Sequence, residues 1–145
     1  MIGLLQRVSN ASVSVDDELV GEIGRGLLVF VAVHRDDKET DVARLAERIL
    51  TYRVFPDAAD RMNRSLVDES LGLLLVPQFT LAADTRKGTR ASFTRAAAPE
   101  KGEAYFEQLV ATCKSRLETV ATGRFGANMQ VSLINDGPVT FWLES

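Results

Sequence analysis

Two short segments hold most of the chemical possibilities of this chain. Gln78-Phe79-Thr80 follows a buried-looking apolar run, and Asn135-Asp136-Gly137-Pro138-Val139-Thr140 separates two alternating ones. The Thr80 hydroxyl is a nucleophile only where a base activates it. Asp84 and Asp136 are the nearest acids, but both sit in turn-rich stretches, where Asp is common for structural reasons. Gly137-Pro138 is a demanding piece of backbone. An X-Pro bond is the one type whose cis form lies within roughly 0.5–1 kcal/mol of trans. A glycine lets another chain or a ligand approach closely. Read alone, the same step is a turn, Gln78 satisfies a strand-end group, and Thr80 and Thr140 are good strand residues by propensity.

What the chain lacks excludes other chemistry. His34 is its only histidine and Cys113 its only cysteine. That rules out a zinc constellation of the usual His/Cys type and a disulfide framework. A Ser-His-Asp site would have to use His34, which ends an apolar run and reads as a strand-end residue. Cys113 falls on the apolar stripe of a helix and reads as core. No metal or cofactor is expected. The 145 residues suggest one domain over 1–145, with the 46% apolar and 26% charged composition of an ordinary globule. The net charge of −3 means that any RNA contact must come from a local basic patch. No run reaches membrane-spanning length, and Ile2–Arg7 follows Met1 with no signal-peptide pattern, so the expected location is cytoplasmic.

The elements that must position these residues follow from periodicity. Ile2–Val8 reads as a strand, Ala11–Val15 as a second, half-buried one, and Leu19–Ile23 as its hairpin partner across Asp16-Asp17. Leu27–Val33 is apolar throughout, as a strand covered on both faces is. Asp36 with Glu39 resembles a capping pair for a helix carrying Val42, Leu45, Ala46, Ile49 and Leu50. Tyr52–Phe55 reads as extended, with an edge strand near Met62–Val67, and Leu71–Val76 as another buried strand. Residues 82–98 form a long connection carrying Asp84, Arg86, Lys87, Arg90 and Arg95. Such loops are functional or mobile. Pro99 opens a second helix whose buried face is Phe106, Leu109, Val110, Cys113 and Leu117, ending at Gly123. Met129–Leu133 and Val139–Leu143 read as two strands. An α/β fold follows, a layered β/β/α sandwich or small β-barrel with two main helices.

In this order the motifs resemble the D-aminoacyl-tRNA deacylases, a family of chiral proofreading enzymes. The family carries a Ser-Gln-Phe-Thr-Leu motif and an Asn-X-Gly-Pro-Val-Thr motif; this chain has Pro77-Gln78-Phe79-Thr80-Leu81 and Asn135–Thr140. The likeness runs through Leu5-Gln6-Arg7-Val8, Tyr52-Arg53-Val54-Phe55, Met62-Asn63, Ala82-Ala83-Asp84-Thr85 and Gly123-Arg124-Phe125. Pro77 departs from the family serine, and Ala91 from a frequent proline.

The resemblance implies a homodimer acting on the aminoacylated 3′ end of tRNA. Gly137 and Pro138, joined by a cis bond, would enter the neighbouring subunit's site and exclude L-amino acids. Arg7 would hold that loop, Met129 would line the pocket with Thr140 nearby, and Arg86, Lys87 and Arg90 would meet phosphates. Gln78, Phe79 and Thr80 would be catalytic. One reading has the ribose 2′-OH assist while the Phe79 and Thr80 N–H groups face the oxyanion. The alternatives are Thr80 as covalent nucleophile, an editing module for L-amino acids, an inactive RNA-binding homologue, and a structural dimer.

Overall fold

In the computed structural model all of residues 1–145 are described, and twelve elements follow one another. The first four are β1 (Ile2–Val15), β2 (Glu18–Ile23), β3 (Gly26–Ala32) and helix α1 (Glu39–Thr51). Then come β4 (Phe55–Pro56), β5 (Met62–Arg64), a helical turn α2 (Leu66–Glu69) and β6 (Gly72–Pro77). A 3-10 turn (Phe79–Ala82), helix α3 (Pro99–Lys114), β7 (Val120–Thr122) and β8 (Gln130–Glu144) complete the chain.

The hairpin β1–β2 turns on Asp16 and Asp17, both at positive φ, as a two-residue turn of primed type requires. Strand order is β2-β1-β3-β6-β7, with β8 on the other side of β1. The first half of β1 lies between β3 and β8, its second half between β2 and β8. β3–β6 and β6–β7 are parallel; the pairings of β1 are antiparallel. The sheet curls until its ends almost meet. Gly21 of β2 lies so near β7 that a Cβ there would sit 2.5 Å from the Thr122 carbonyl oxygen. The expected small, layered α/β barrel is what the chain forms.

Alternation along β3 and β6 divides the core in two. Leu27, Val29, Val31, Leu73 and Leu75 face α1 and α3, meeting Leu45, Ile49 and Leu109. Leu28, Leu74 and Val76 face the inside of the curl, against Val8, Val13 and Ile23. Both faces are therefore covered, which explains the unbroken apolar run. Each of these buried aliphatic side chains contributes roughly 1.5–3 kcal/mol relative to exposure. No helix is long and apolar enough to cross a membrane.

Several expected boundaries move. β1 and β8 are each one long strand where the sequence suggested two; pairing with each other carries both through their polar interruptions. Helix α1 starts at Glu39, with Lys38 at its cap. The Asp41 carboxylate, not an Asp36–Glu39 pair, accepts the Lys38 N–H at 2.8 Å, and this bond is the largest cause holding Asp41 below its ordinary pKa. Asp37 instead accepts from the His34 N–H at 2.7 Å and the Met1 ammonium at 2.8 Å. The second half of the expected Met62–Val67 strand is α2, because Ser65 and Asp68 close a capping box. Helix α3 ends at Lys114 rather than Gly123; Leu117 lies beyond it but is still buried, and β7 intervenes.

Candidate active site

β6 ends at Pro77, where the chain needs a neighbour but not a donor from the proline. The Gln78 N–H makes the link to the Val31 carbonyl at 2.7 Å. The missing N–H of Pro77 thus falls where the ladder is already ending. The backbone then tightens into the 3-10 turn Phe79–Ala82, and Leu81 N–H bonds back to the Gln78 carbonyl at 3.2 Å. The Phe79 and Thr80 N–H groups precede the first bond of that turn and have no acceptor in the chain. Gln78 donates through Nε2 to the Thr80 hydroxyl. Phe79 is not a core residue. The residue is 59% exposed, and its ring tilts against Phe93 with centroids 5.2 Å apart.

Beside this turn lies a cavity of about 600 Å³. The ends of β3 and β6 form its floor, the first turns of α3 one wall, and the Phe125–Met129 segment another. Gln78, Phe79 and Met129 all line it. Met129 fits because position 123 is glycine: a Cβ there would stand 2.7 Å from the methionine sulfur. Likewise Gly102 lets Phe125 lie against α3. No Asp, Glu, His, Lys, Arg, Cys or Tyr lines the cavity; its polar side chains are Gln78 and Asn128. Proton transfer inside it therefore needs a group from outside.

The second motif lies elsewhere in the same chain. Gln6 pairs with Thr140 and Val8 with Asn135, so residues 136–139 bulge out opposite Arg7 alone. Arg7 fastens this bulge. Its guanidinium donates to the Asp136 carbonyl at 3.1 Å and the Val54 carbonyl at 2.7 Å, and stands 3.5 Å from the Asp136 carboxylate. Asn135 closes the base: it donates to the Thr140 hydroxyl at 2.9 Å and accepts from the Val139 N–H at 3.0 Å. The Gly137–Pro138 bond is cis, and Gly137 has φ +130°, a region costly for any side chain. Both residues are exposed. Arg7 pairs with Leu27, whereas the cavity begins at Val31 of the same strand. Four residues at about 3.3 Å each separate them by roughly 13 Å along β3. One chain does not bring Gly137 and Pro138 to Gln78–Thr80.

The connection 82–98 is more ordered than its sequence suggests. Asp84 and Ser92 exchange backbone bonds at 2.8 and 3.0 Å, Arg35 N–H reaches the Arg95 carbonyl at 3.0 Å, and Ala97 N–H the Val33 carbonyl at 3.0 Å. Asp84 grips Arg86 through both carboxylate oxygens, at 2.9 and 2.6 Å. That hydrogen-bonded pair holds the Asp84 carboxyl far below the usual carboxylate range. It is a fixed anion at neutral pH and a poor general base. Arg86 is thus partly neutralised; Lys87 and Arg90 are exposed and have no ion-pair partner. His34 is a strand-end residue bridged to Ala96. Cys113 is core, and burial pushes its thiol up to about 12. Sequence reasoning passed over Phe93 and Asn128 as site residues. A lone aromatic between Ser92 and Thr94, in an otherwise polar loop, was the available signal for the first.

Known proteins resemble this chain along nearly its whole length. The family model described as D-Tyr-tRNA(Tyr) deacylase matches residues 4–144. The chain is 63% identical over 145 residues to a D-aminoacyl-tRNA deacylase of Alkalilimnicola ehrlichii, covering 100% of this chain and 97% of the relative. It is 55% identical over 144 residues to one from Klebsiella pneumoniae, covering 99% of each. Among solved structures it resembles the c-Myc DNA Unwinding Element Binding Protein, with TM-score 0.95, 36% identity and coverage of 100% and 99%. A probable eukaryotic D-amino acid tRNA deacylase shares the fold, with TM-score 0.88 and 18% identity over 99% and 98%. The chain belongs to the D-Tyr-tRNA(Tyr) deacylase family.

Proposed function

We propose that the chain, acting as one domain over residues 1–145, hydrolyses the ester of D-aminoacyl-tRNA to free amino acid and tRNA. The observation that carries this reading is the pairing of two unengaged N–H groups, Phe79 and Thr80, with a cavity free of ionisable side chains. An ester carbonyl held at that turn would develop its negative charge against the two donors. Removing one donor of this kind typically slows reaction about 10²–10³-fold. With no base in the cavity, the vicinal ribose 2′-OH positions the water. Pro77 supports a site that works through backbone, since catalysis there does not call on a hydroxyl at position 77.

The filter in this reading comes from a second copy. Residues 136–139 of the partner enter the mouth of the cavity, and their carbonyls meet any side chain in the L position. Glycine has no such side chain, so glycyl-tRNA(Ala) passes the same filter. Arg7 keeps the bulge in place, and Thr140 braces its base. Lys87 and Arg90, with Arg86 behind them, contact phosphates and make binding salt-dependent. The homodimer needs no cofactor and works in the cytoplasm, where its tRNA substrate is found.

The test is turnover of D-tyrosyl-tRNA and L-tyrosyl-tRNA by the native chain and by Thr80→Ala. D-selective release that survives in Thr80→Ala within about tenfold supports backbone and substrate-assisted catalysis. Abolished release with a trapped acyl-enzyme in the native protein would establish Thr80 as nucleophile instead. L-selective release, or binding without release, would overturn the reading altogether.

A further inference from the structure

A second cavity, of about 430 Å³, lies between α3 and the Thr122–Phe125 segment. Phe106 and Phe125 line both cavities, so the two spaces share that wall. Their chemistry differs. The first has no ionisable side chain, whereas the second has Glu103, Glu107, Lys114 and Arg124. Glu103, Glu107, Val110 and Lys114 are spaced four, three and four residues apart and share one face of α3. Arg124 comes from across the cavity. It precedes Phe125, whose ring lies so close to Gly102 that a Cβ there would stand 3.3 Å away. That contact sets Arg124 at the glutamate end. None of the four charged groups has an ion-pair partner in the chain, whereas Arg116, just beyond α3, pairs with Glu47 of α1.

Two carboxylates, a guanidinium and an apolar floor in one cavity complement a small molecule with an ammonium, a carboxylate and an apolar body. An apolar ligand would leave the charges unanswered, and a polyanion would meet both glutamates. We infer that this cavity binds a free α-amino acid with an apolar side chain. Glu103 and Glu107 take its ammonium, Arg124 its carboxylate, and Phe106, Val110 and Phe125 its side chain. The charged groups sit on long, flexible stems, so either enantiomer fits. Arg124 also ties the site to the first cavity. Its N–H reaches the Met129 sulfur at 3.3 Å, and its carbonyl accepts from the Ala127 N–H at 3.3 Å. An occupied site therefore holds the Phe125–Met129 wall and slows turnover in the first cavity. That consequence alone rests on the proposed hydrolysis, which releases a ligand of this class, so the site senses accumulated product.

The test titrates the native chain with L-phenylalanine, the enantiomer that the proposed filter keeps out of the first cavity. Backbone NMR shifts should move along the Glu103–Lys114 face and at Thr122–Phe125. Arg124→Ala, and Glu103→Gln combined with Glu107→Gln, should each weaken binding about 10–100-fold. Phenylethylamine and 3-phenylpropionate, each lacking one charge, should bind about tenfold or more weakly. Gln78→Trp, which fills the first cavity, should leave the affinity unchanged. No binding up to about 10 mM, equal binding of the one-charge analogues, or undiminished binding by Arg124→Ala overturns the inference. So does loss of binding in Gln78→Trp, which would place the ligand in the first cavity. Saturating L-phenylalanine should slow native turnover of D-tyrosyl-tRNA about fivefold or more, and that of Arg124→Ala not at all. Equal rates with and without it would overturn the coupling. If the amino acid binds as described while D-aminoacyl esters are not cleaved, the site stands and the proposed hydrolysis falls.

Discussion

Arg7 does three jobs with one guanidinium, and each can be measured. It joins β1, the strand-like stretch at Val54 and the 136–139 bulge. Hydrogen bonds to a charged group are worth about 1.5–3 kcal/mol each. Arg7→Ala should therefore lower kcat/KM for D-aminoacyl-tRNA about 10–100-fold, with a smaller loss in melting temperature. An unchanged kcat/KM would separate the bulge from catalysis. Asp84 gives the opposite expectation. Hydrogen bonds from Arg86 hold its carboxyl well below the ordinary aspartate value of 3.8. A group so lowered contributes its stabilisation above the ordinary carboxylate value and loses it only as pH falls toward the lowered one. Between pH 5 and 8 it stays ionised, so Asp84→Asn should leave the shape of the pH–rate profile unchanged there. A lost inflection would make Asp84 a base after all. Gln78, Phe79, Met129 and Arg7 were visible in the sequence through the motifs shared with the resembled family, not through residue type alone. They did not reveal that Thr140 is held by Asn135 and Gln6, since that depends on cross-strand register.

The elements were legible where alternation or a helical stripe ran unbroken, as in β3, β6 and α1. They were less so where pairing overrides local chemistry. Ser9-Asn10 and Asn135–Pro138 look like breaks, yet β1 and β8 carry each other across them. β7 has three residues and no pattern to find; it exists because β6 offers an edge. Close approach also belongs to this scale. A Cβ on Gly26 would lie 1.9 Å from the Gly72 carbonyl oxygen, whereas one on Gly24 would meet nothing within 4 Å. Gly26→Ala should destabilise the fold by about 3 kcal/mol or more in urea, and Gly24→Ala by less than about 1. Equal effects would mean that β3 and β6 can separate freely. Cys113 reports on α3. Its ordinary value is 9.0 and burial raises it to about 12. The unfolded chain therefore loses that proton first, and stability should decline as pH rises from 9 toward 12. The decline should be smaller in Cys113→Ala, as read by denaturant midpoint against pH.

At the scale of the molecule, the cavity and the 136–139 bulge stand too far apart for one chain to join them. If two copies complete each other, mixed dimers should show it. A variant blocked at the turn, Gln78→Trp, and one blocked at the bulge, Gly137→Val, should each be nearly inactive alone. Co-folded, they should recover up to about a quarter of native turnover, because half of a random mixture is heterodimer with one intact site of two. No recovery would show that the two motifs serve a single chain in another way.

The cationic 85–98 stretch has a consequence for how a polyanion arrives. Outside that stretch the chain is net acidic, which disfavours contact with a polyanion. A loop with four cations and no acid is a local attraction on that background, so the field favours encounters that lead with it. Raising the ionic strength relaxes the attraction and the repulsion together, so wrongly oriented encounters should rise as productive capture falls. On that reading the negative net charge would orient an approaching polyanion rather than exclude it.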